Sequence, residues 1–164
     1  MYQLPYRDAP DTATATLDPG EPQPCGEIGA TVWYLLRNRT ETDVVIDATT
    51  TDSTFTTVLA VYEHDISETP SPPGSLRLIA CADGAAAPDA RASLRITVPP
   101  GSFYLVQAGG YASATGALSF ALTCASAPCR LSPEVRAADN GGSSPGGIAP
   151  PNTGSGGYLP GARR

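Results

Sequence analysis

Residues 31–62 constrain the fold of this chain more than any other stretch. They contain three apolar runs in close succession, VWYLL, VVI and VLAVY, which are separated by segments of Asn, Thr, Asp and Ser. Branched and aromatic residues favour strands, and polar segments of this kind favour turns, so the pattern predicts consecutive strands of an antiparallel sheet. Both alternating faces of VWYLL are apolar, which predicts a central strand covered on both sides.

The rest of the chain adds further strands and little that favours a helix. Apolar residues recur at every second position over residues 94–98, 104–108 and 118–122, and a shorter apolar run covers residues 76–81. Gly and Pro, with 17 of each, make up about a fifth of the sequence, and both residues are unfavourable in helix interiors. The sequence therefore predicts an all-β domain of about seven to nine strands, arranged as a two-sheet sandwich.

Composition divides the chain into three parts. Prolines are scattered through residues 1–30, which predicts an extended N-terminal segment packed on the surface of the sandwich. Residues 31–129 form the predicted sandwich core. In residues 130–164 apolar side chains are too sparse to offset the entropy of ordering, so we expect a disordered Gly/Pro-rich tail or linker there.

Charge and hydropathy exclude two classes of partner. The formal net charge is −6, and the basic residues are all arginines scattered along the chain, whereas nucleic-acid binding needs clustered positive charge. No apolar run reaches the roughly 18 to 20 residues of a membrane-spanning helix. The first residues also lack the basic region and apolar core of a signal peptide, so we expect that any export signal belongs to a longer chain.

The cysteines indicate an oxidising compartment. The chain has four, Cys25, Cys81, Cys124 and Cys129, and no Cys-x-x-Cys pair, which favours disulfides and an extracellular or cell-surface location over buried thiols. Four cysteines allow three connectivities. We favour a short loop closed by Cys124 and Cys129, which leaves Cys25 to pair with Cys81.

The sequence offers little for catalysis. His64 is the single histidine, and it lies beside Glu63 and Asp65 before a proline-rich stretch, which predicts a solvated loop residue rather than a general base. The chain has no His-Glu-x-x-His pair and no second histidine for a zinc site, so we expect a non-catalytic protein. Tyr111, in the loop GGYASATG, is the aromatic residue that we expect to be exposed and able to contact a ligand.

The order of these segments resembles the bacterial pre-peptidase C-terminal (PPC) domains, which are also loosely similar to CUB modules. The resemblance covers about residues 6–124 and rests on six motifs. They are DPGEPQPCG (residues 18–26), VWYLL (32–36), DSTFTTVLAVY (52–62), LIACADG (78–84), FYLVQAGG (103–110) and TGALSFAL (115–122).

The resemblance implies a jelly-roll β-sandwich with an accessory role, and some PPC domains bind calcium. Relatives often carry an acidic residue where this chain has Thr56, and further acidic residues after the cysteine of the LIACADG motif. Despite those departures, Asp52, Asp83 and Glu21 are the residues whose oxygens are candidates for a calcium site. Aspartates near strand ends also stabilise turns through the backbone, which is the alternative explanation for Asp52 and Asp83.

Two functions follow from these expectations. The first is a non-catalytic secreted or cell-surface module for adhesion, display or structural assembly, whose partners are a surface glycan, a surface protein or copies of itself. The alternative is a carbohydrate-binding or calcium-supported accessory domain of a secreted hydrolase or peptidase. Apart from calcium in the second case, neither function implies a cofactor.

Overall fold

The structure is a computed structural model that describes residues 4–64, 76–125 and 136–138. Within these ranges the chain forms nine strands and one short 3₁₀ turn at Gly84–Ala86, with no α-helix. The strands are β1 (Tyr6–Asp8), β2 (Ile28–Arg37), β3 (Val44–Thr49), β4 (Thr57–His64), β5 (Leu76–Asp83), β6 (Ser93–Val98), β7 (Phe103–Tyr111), β8 (Phe120–Cys124) and β9 (Arg136–Ala138).

The strands form two antiparallel sheets with jelly-roll topology. One sheet has four strands in the order β1-β8-β3-β6, and the other has five in the order β5-β4-β7-β2-β9. Strands β1 and β8, β2 and β7, β3 and β6, and β4 and β5 are therefore neighbours, which is the nested pairing of an eight-stranded jelly roll with β9 added at one edge. The predicted fold class is confirmed.

Apolar side chains from both sheets fill the space between them, as the alternation of the strands predicts. Tyr34 of β2 stacks on Phe120 of β8 with ring centroids 4.0 Å apart, which joins the two sheets at the centre of the core. Tyr6 packs against both rings edge-on, so β1 closes one side of this cluster. The other fully buried members of the core are Leu36, Ala48, Leu59, Val61, Val98, Val106, Ala108, Leu118 and Leu122.

Buried hydroxyl groups join the two sheets where the chain passes from β3 to β4. The Oγ1 atoms of Thr50 and Thr57 lie 2.6 Å apart, and both accept a hydrogen bond from the backbone N–H of Ala92, each at 3.0 Å. Thr50 also donates its hydroxyl to the Ala92 carbonyl at 3.1 Å. The polar run after β3 is therefore part of the packed structure and connects the starts of β4 and β6.

The outer segments meet the sandwich at positions that differ from the predicted divisions. Strand β2 begins at Ile28, inside the predicted N-terminal segment, and the rest of that segment contributes β1. Strand β9 lies inside the segment predicted as a disordered tail, where it pairs with Trp33–Leu35 of β2. Backbone pairing needs no apolar side chains, which is why composition does not reveal this strand. The remainder of residues 130–164 lies outside the described residues.

Candidate functional site

A second, smaller cluster lies on the outer face of the five-stranded sheet. Trp33 of β2 and Tyr62 of β4 point away from the core, and their ring centroids are 5.7 Å apart. Residues 16–25, here called the covering segment, contact this face and leave Trp33 with no exposed surface. The apolar second face of β2 is therefore covered by the N-terminal part of the chain.

Glu21 holds the covering segment against the sheet through a network of hydrogen bonds. Its Oε2 atom accepts from the Thr31 hydroxyl at 2.5 Å, from Trp33 Nε1 at 3.1 Å and from Gln107 Nε2 at 3.3 Å. Its Oε1 atom accepts from the backbone N–H of Asp18 at 3.2 Å. Three donors from β2 and β7 thus converge on one carboxylate oxygen supplied by the covering segment.

Gln107 extends this network across the sheet. Its Oε1 atom accepts a hydrogen bond from the Tyr62 hydroxyl at 2.9 Å, and its Nε2 atom also donates to the carbonyl of Pro22 at 3.2 Å. Both side chains are buried. The amide therefore connects β4, β7 and the covering segment, and its polar atoms are paired within the fold.

Burial determines the electrostatics of this site. Only 6% of Glu21 is exposed, and loss of hydration raises the pKa of its carboxyl group, with the hydrogen bonds from Thr31, Asp18 and Trp33 acting in the opposite direction. Burial, followed by the nearby Glu21 carboxylate, raises the pKa of Tyr62. Perturbed carboxyl groups often mark active sites, but here both oxygens are engaged by donors of the fold and the group is enclosed.

A disulfide fastens the end of the covering segment. Cys25 is bonded to Cys81 of β5, with Cα atoms 6.0 Å apart, as the sequence predicts. Cys124 is also disulfide-bonded, and none of the described cysteines is a thiol. Its predicted partner, Cys129, lies outside the described residues. The covering segment is thus held both by the Glu21 carboxylate and by a covalent bond.

The three candidate calcium ligands serve different local roles. The Asp83 carboxylate accepts a hydrogen bond from the backbone N–H of Ala85 at 2.7 Å and caps the 3₁₀ turn. Asp52 is exposed in the turn after β3, and the side chain of Glu21, which belongs to the covering segment, is buried against the sheet. Across residues 4–64 and 76–125, no group of three or more His, Cys, Asp or Glu side chains is placed to hold a metal ion.

Tyr111 and His64 are the last residues of two neighbouring antiparallel strands, so they lie at opposite ends of the five-stranded sheet. Tyr111 is the last residue of β7 and is 37% exposed, in agreement with the expected exposure. Its role as a ligand contact remains a prediction. His64 is the last residue of β4 and pairs with Leu76 of β5, so the prediction of a loop at this position is wrong. Hydrogen bonding to β5 extends β4 beyond its apolar residues.

The partners of Glu21 are not evident from the sequence around it. Gln107 is a lone amide in the apolar strand FYLVQAGG, and Trp33 lies on the second apolar face of VWYLL. Those two residues were the available signal that the outer face of this sheet is covered. What lies over it depends on contacts between residues up to 86 positions apart, and no local pattern records them.

Comparisons with protein-family models, with curated proteins and with solved structures found no match to this chain. Among the described residues, no helix has the length and apolar character needed to cross a membrane.

Proposed function

We propose that this protein is a non-catalytic secreted or cell-surface module for adhesion, display or structural assembly, similar in role to the PPC domains that its sequence resembles. The observation that carries the proposal is that both the Glu21 carboxylate and the Cys25–Cys81 disulfide hold the covering segment against the sheet. Its Cys25–Cys81 bond joins two chain positions that are 56 residues apart, and disulfides of this kind persist in oxidising compartments.

The described polar groups support a structural role. The buried carboxylate of Glu21 fixes the covering segment, and the Asp83 carboxylate caps a turn. The amide of Asn38 donates to the carbonyls of Thr42 and Val98, each at 2.8 Å, and joins the loop after β2 to the end of β6. These side chains serve the rigidity of the sandwich, which suits a module that presents a surface.

The dependence on an oxidising compartment can be tested with the full chain produced in oxidising and in reducing compartments of a heterologous host. Mass spectrometry of the unreduced, exported chain should show the mass of a chain with two disulfides, and protease resistance should fall when reductant is added. Equal protease resistance of chains made in the two compartments would contradict the proposal, because the fold would then not depend on oxidation.

The alternative, a carbohydrate-binding or calcium-supported accessory domain, is favoured by one observation. Tyr111 presents an exposed aromatic ring at the end of β7, beside Gly26 of the segment that precedes β2. Glycan-array binding that is lost in Tyr111→Ala and retained in Leu78→Ala, the other exposed large apolar side chain among the described residues, would support this function. The alternative would be contradicted if neither calcium nor the glycans of the array gave a heat of binding above dilution in calorimetry.

A further inference from the structure

The sheet edges of this protein differ in how well they are protected against another strand. β1 and β9 are three residues long, and β5 is interrupted by a register shift opposite Val61 and Tyr62 of β4. β6 has six residues in unbroken register with β3, and within the described residues no strand pairs with its outer side. Short or bulged edges resist strand addition, whereas long regular edges accept it.

The side chains of β6 have the alternation of a strand that belongs inside a sheet. Ile96 and Val98 are buried in the core and Leu94 packs against it, while Arg95 and Thr97 are exposed on the outer face. An additional strand with the same alternation would continue the core on one face and meet water on the other.

The one charged side chain of β6 is held back from its edge. Arg95 lies directly opposite Asp47 of β3, and its Nε and Nη2 atoms donate to the Asp47 carboxylate at 2.7 and 2.9 Å. An arginine at an edge strand ordinarily guards it against pairing. Because Asp47 lies on the inner neighbour, the guanidinium is directed over its own sheet and away from the outer backbone groups of β6.

We propose that β6 pairs antiparallel with β6 of a second copy of this chain, about a two-fold axis at Ile96. This inference rests on the proposed role in structural assembly and names the surface that performs it. The two four-stranded sheets would then form one continuous eight-stranded sheet across the dimer. Main-chain hydrogen bonds supply affinity in this kind of strand addition, and the side chains supply register.

The sequence of β6 is self-complementary in this register. Leu94 faces Val98 of the second copy and Ile96 faces its own counterpart, so apolar residues meet apolar residues. Arg95 faces Thr97 of the second copy, which avoids like charges in contact. Two neighbouring registers also preserve the two faces. One would place Arg95 against Arg95, and opposed like charges destabilise a cross-strand pair. The other would place Arg95 against Pro99, which has no N–H to donate to the ladder.

Opposite charges placed at Thr97 test the proposal by analytical ultracentrifugation of the full oxidised chain over a range of concentrations. Thr97→Arg puts two like-charge pairs in the interface and should weaken dimerisation about tenfold, whereas Thr97→Glu pairs twice with Arg95 and should strengthen it about tenfold. The chain's net charge is −6, so an effect of overall repulsion alone would have the opposite sign for both variants.

Thr49 provides the matched control. It lies on the same outer face but on β3, an inner strand, where it pairs with Ser93 of β6 and Ala121 of β8. Thr49→Arg and Thr49→Glu should leave the dimerisation constant within about twofold of the parent value. Circular dichroism verifies that all four variants are folded before their association is compared.

Two outcomes would overturn the β6 dimer. One is a parent chain that stays monomeric at every concentration, and the other is an association constant that responds equally to the Thr97 and Thr49 substitutions. Self-association that is unchanged by both Thr97 substitutions would refute β6 as the interface, but it would not contradict the proposed role in structural assembly. The oxidation experiment, in contrast, tests the proposed function without reference to β6.

Discussion

Removal of the Cys25–Cys81 disulfide should lower the free energy of unfolding of the oxidised chain by about 4 kcal/mol. The perturbation is the double substitution Cys25→Ala and Cys81→Ala, which avoids new polar groups beside the apolar cluster that Cys81 contacts. The bond joins residues separated by 56 positions, and a cross-link over a loop of this length removes about 14 cal/mol/K of entropy from the unfolded chain.

The predicted loss is a large fraction of the stability of an ordinary domain, which is about 5 to 15 kcal/mol. The variant should nevertheless fold, because the core between the sheets does not include either cysteine and Glu21 still anchors the covering segment. The expected result is thus a folded protein with a lower unfolding midpoint rather than an unfolded one.

Urea unfolding followed by fluorescence and by far-ultraviolet circular dichroism measures this loss. Trp33 is the single tryptophan and lies under the covering segment, so fluorescence reports on that segment while circular dichroism reports on the sheets. Both signals should shift together to lower urea. A loss below about 1 kcal/mol would refute the chain-entropy reasoning, and fluorescence that changes well before circular dichroism would show that the disulfide secures only the covering segment.

Two further predictions concern single residues. Burial raises the pKa of Glu21 above its ordinary value of 4.5, so the native state binds the proton more tightly than the unfolded state does. The resulting stability is present at low pH and is lost as pH rises through the native pKa. Relative to Glu21→Gln, the free energy of unfolding of the parent in urea should therefore fall with rising pH over that window, and parallel pH profiles of the two proteins would contradict the assignment. Gly110→Ala should lower the free energy of unfolding by about 3 kcal/mol in the same assay, because a Cβ there would overlap the Ala114 carbonyl. Gly101 has a φ of +74° and no atom within 4 Å of an added Cβ, so Gly101→Ala should lower it by about 1 kcal/mol. Equal losses at the two glycines would refute the steric argument.

Strand positions and their buried faces were predictable because alternation records them directly. Ile46, Leu59 and Ile96 all face the core as their patterns indicate. Which sheet each strand joins was not predictable in this way, since the period of two specifies the face of a residue and not its neighbour. The runs VWYLL and VVI are predicted as consecutive strands of one sheet, but residues 38–42 carry the chain from β2 in one sheet to β3 in the other.

The candidate site was less predictable than the fold because it is formed by contacts across long stretches of chain. Glu21, in a proline-rich segment, had the appearance of a surface carboxylate suited to calcium. Its neighbours are instead Trp33 and Gln107, and the latter is 86 positions away. The disulfide was the exception, since four cysteines allow only three pairings and a short loop at Cys124 and Cys129 favoured one of them.

The disulfide and Glu21 fix the covering segment in different ways. A cross-link at Cys25 restricts where the segment ends, but it does not select the residues that lie over Trp33. The Glu21 carboxylate does, because the donors of Thr31, Trp33 and Gln107 meet at one oxygen and a shift along the chain would remove this shared acceptor from a buried site. Burying a carboxylate is unfavourable in itself, as the raised pKa of Glu21 shows. Its contribution is therefore to the register of the segment, while the disulfide stabilises the fold by restricting the unfolded chain.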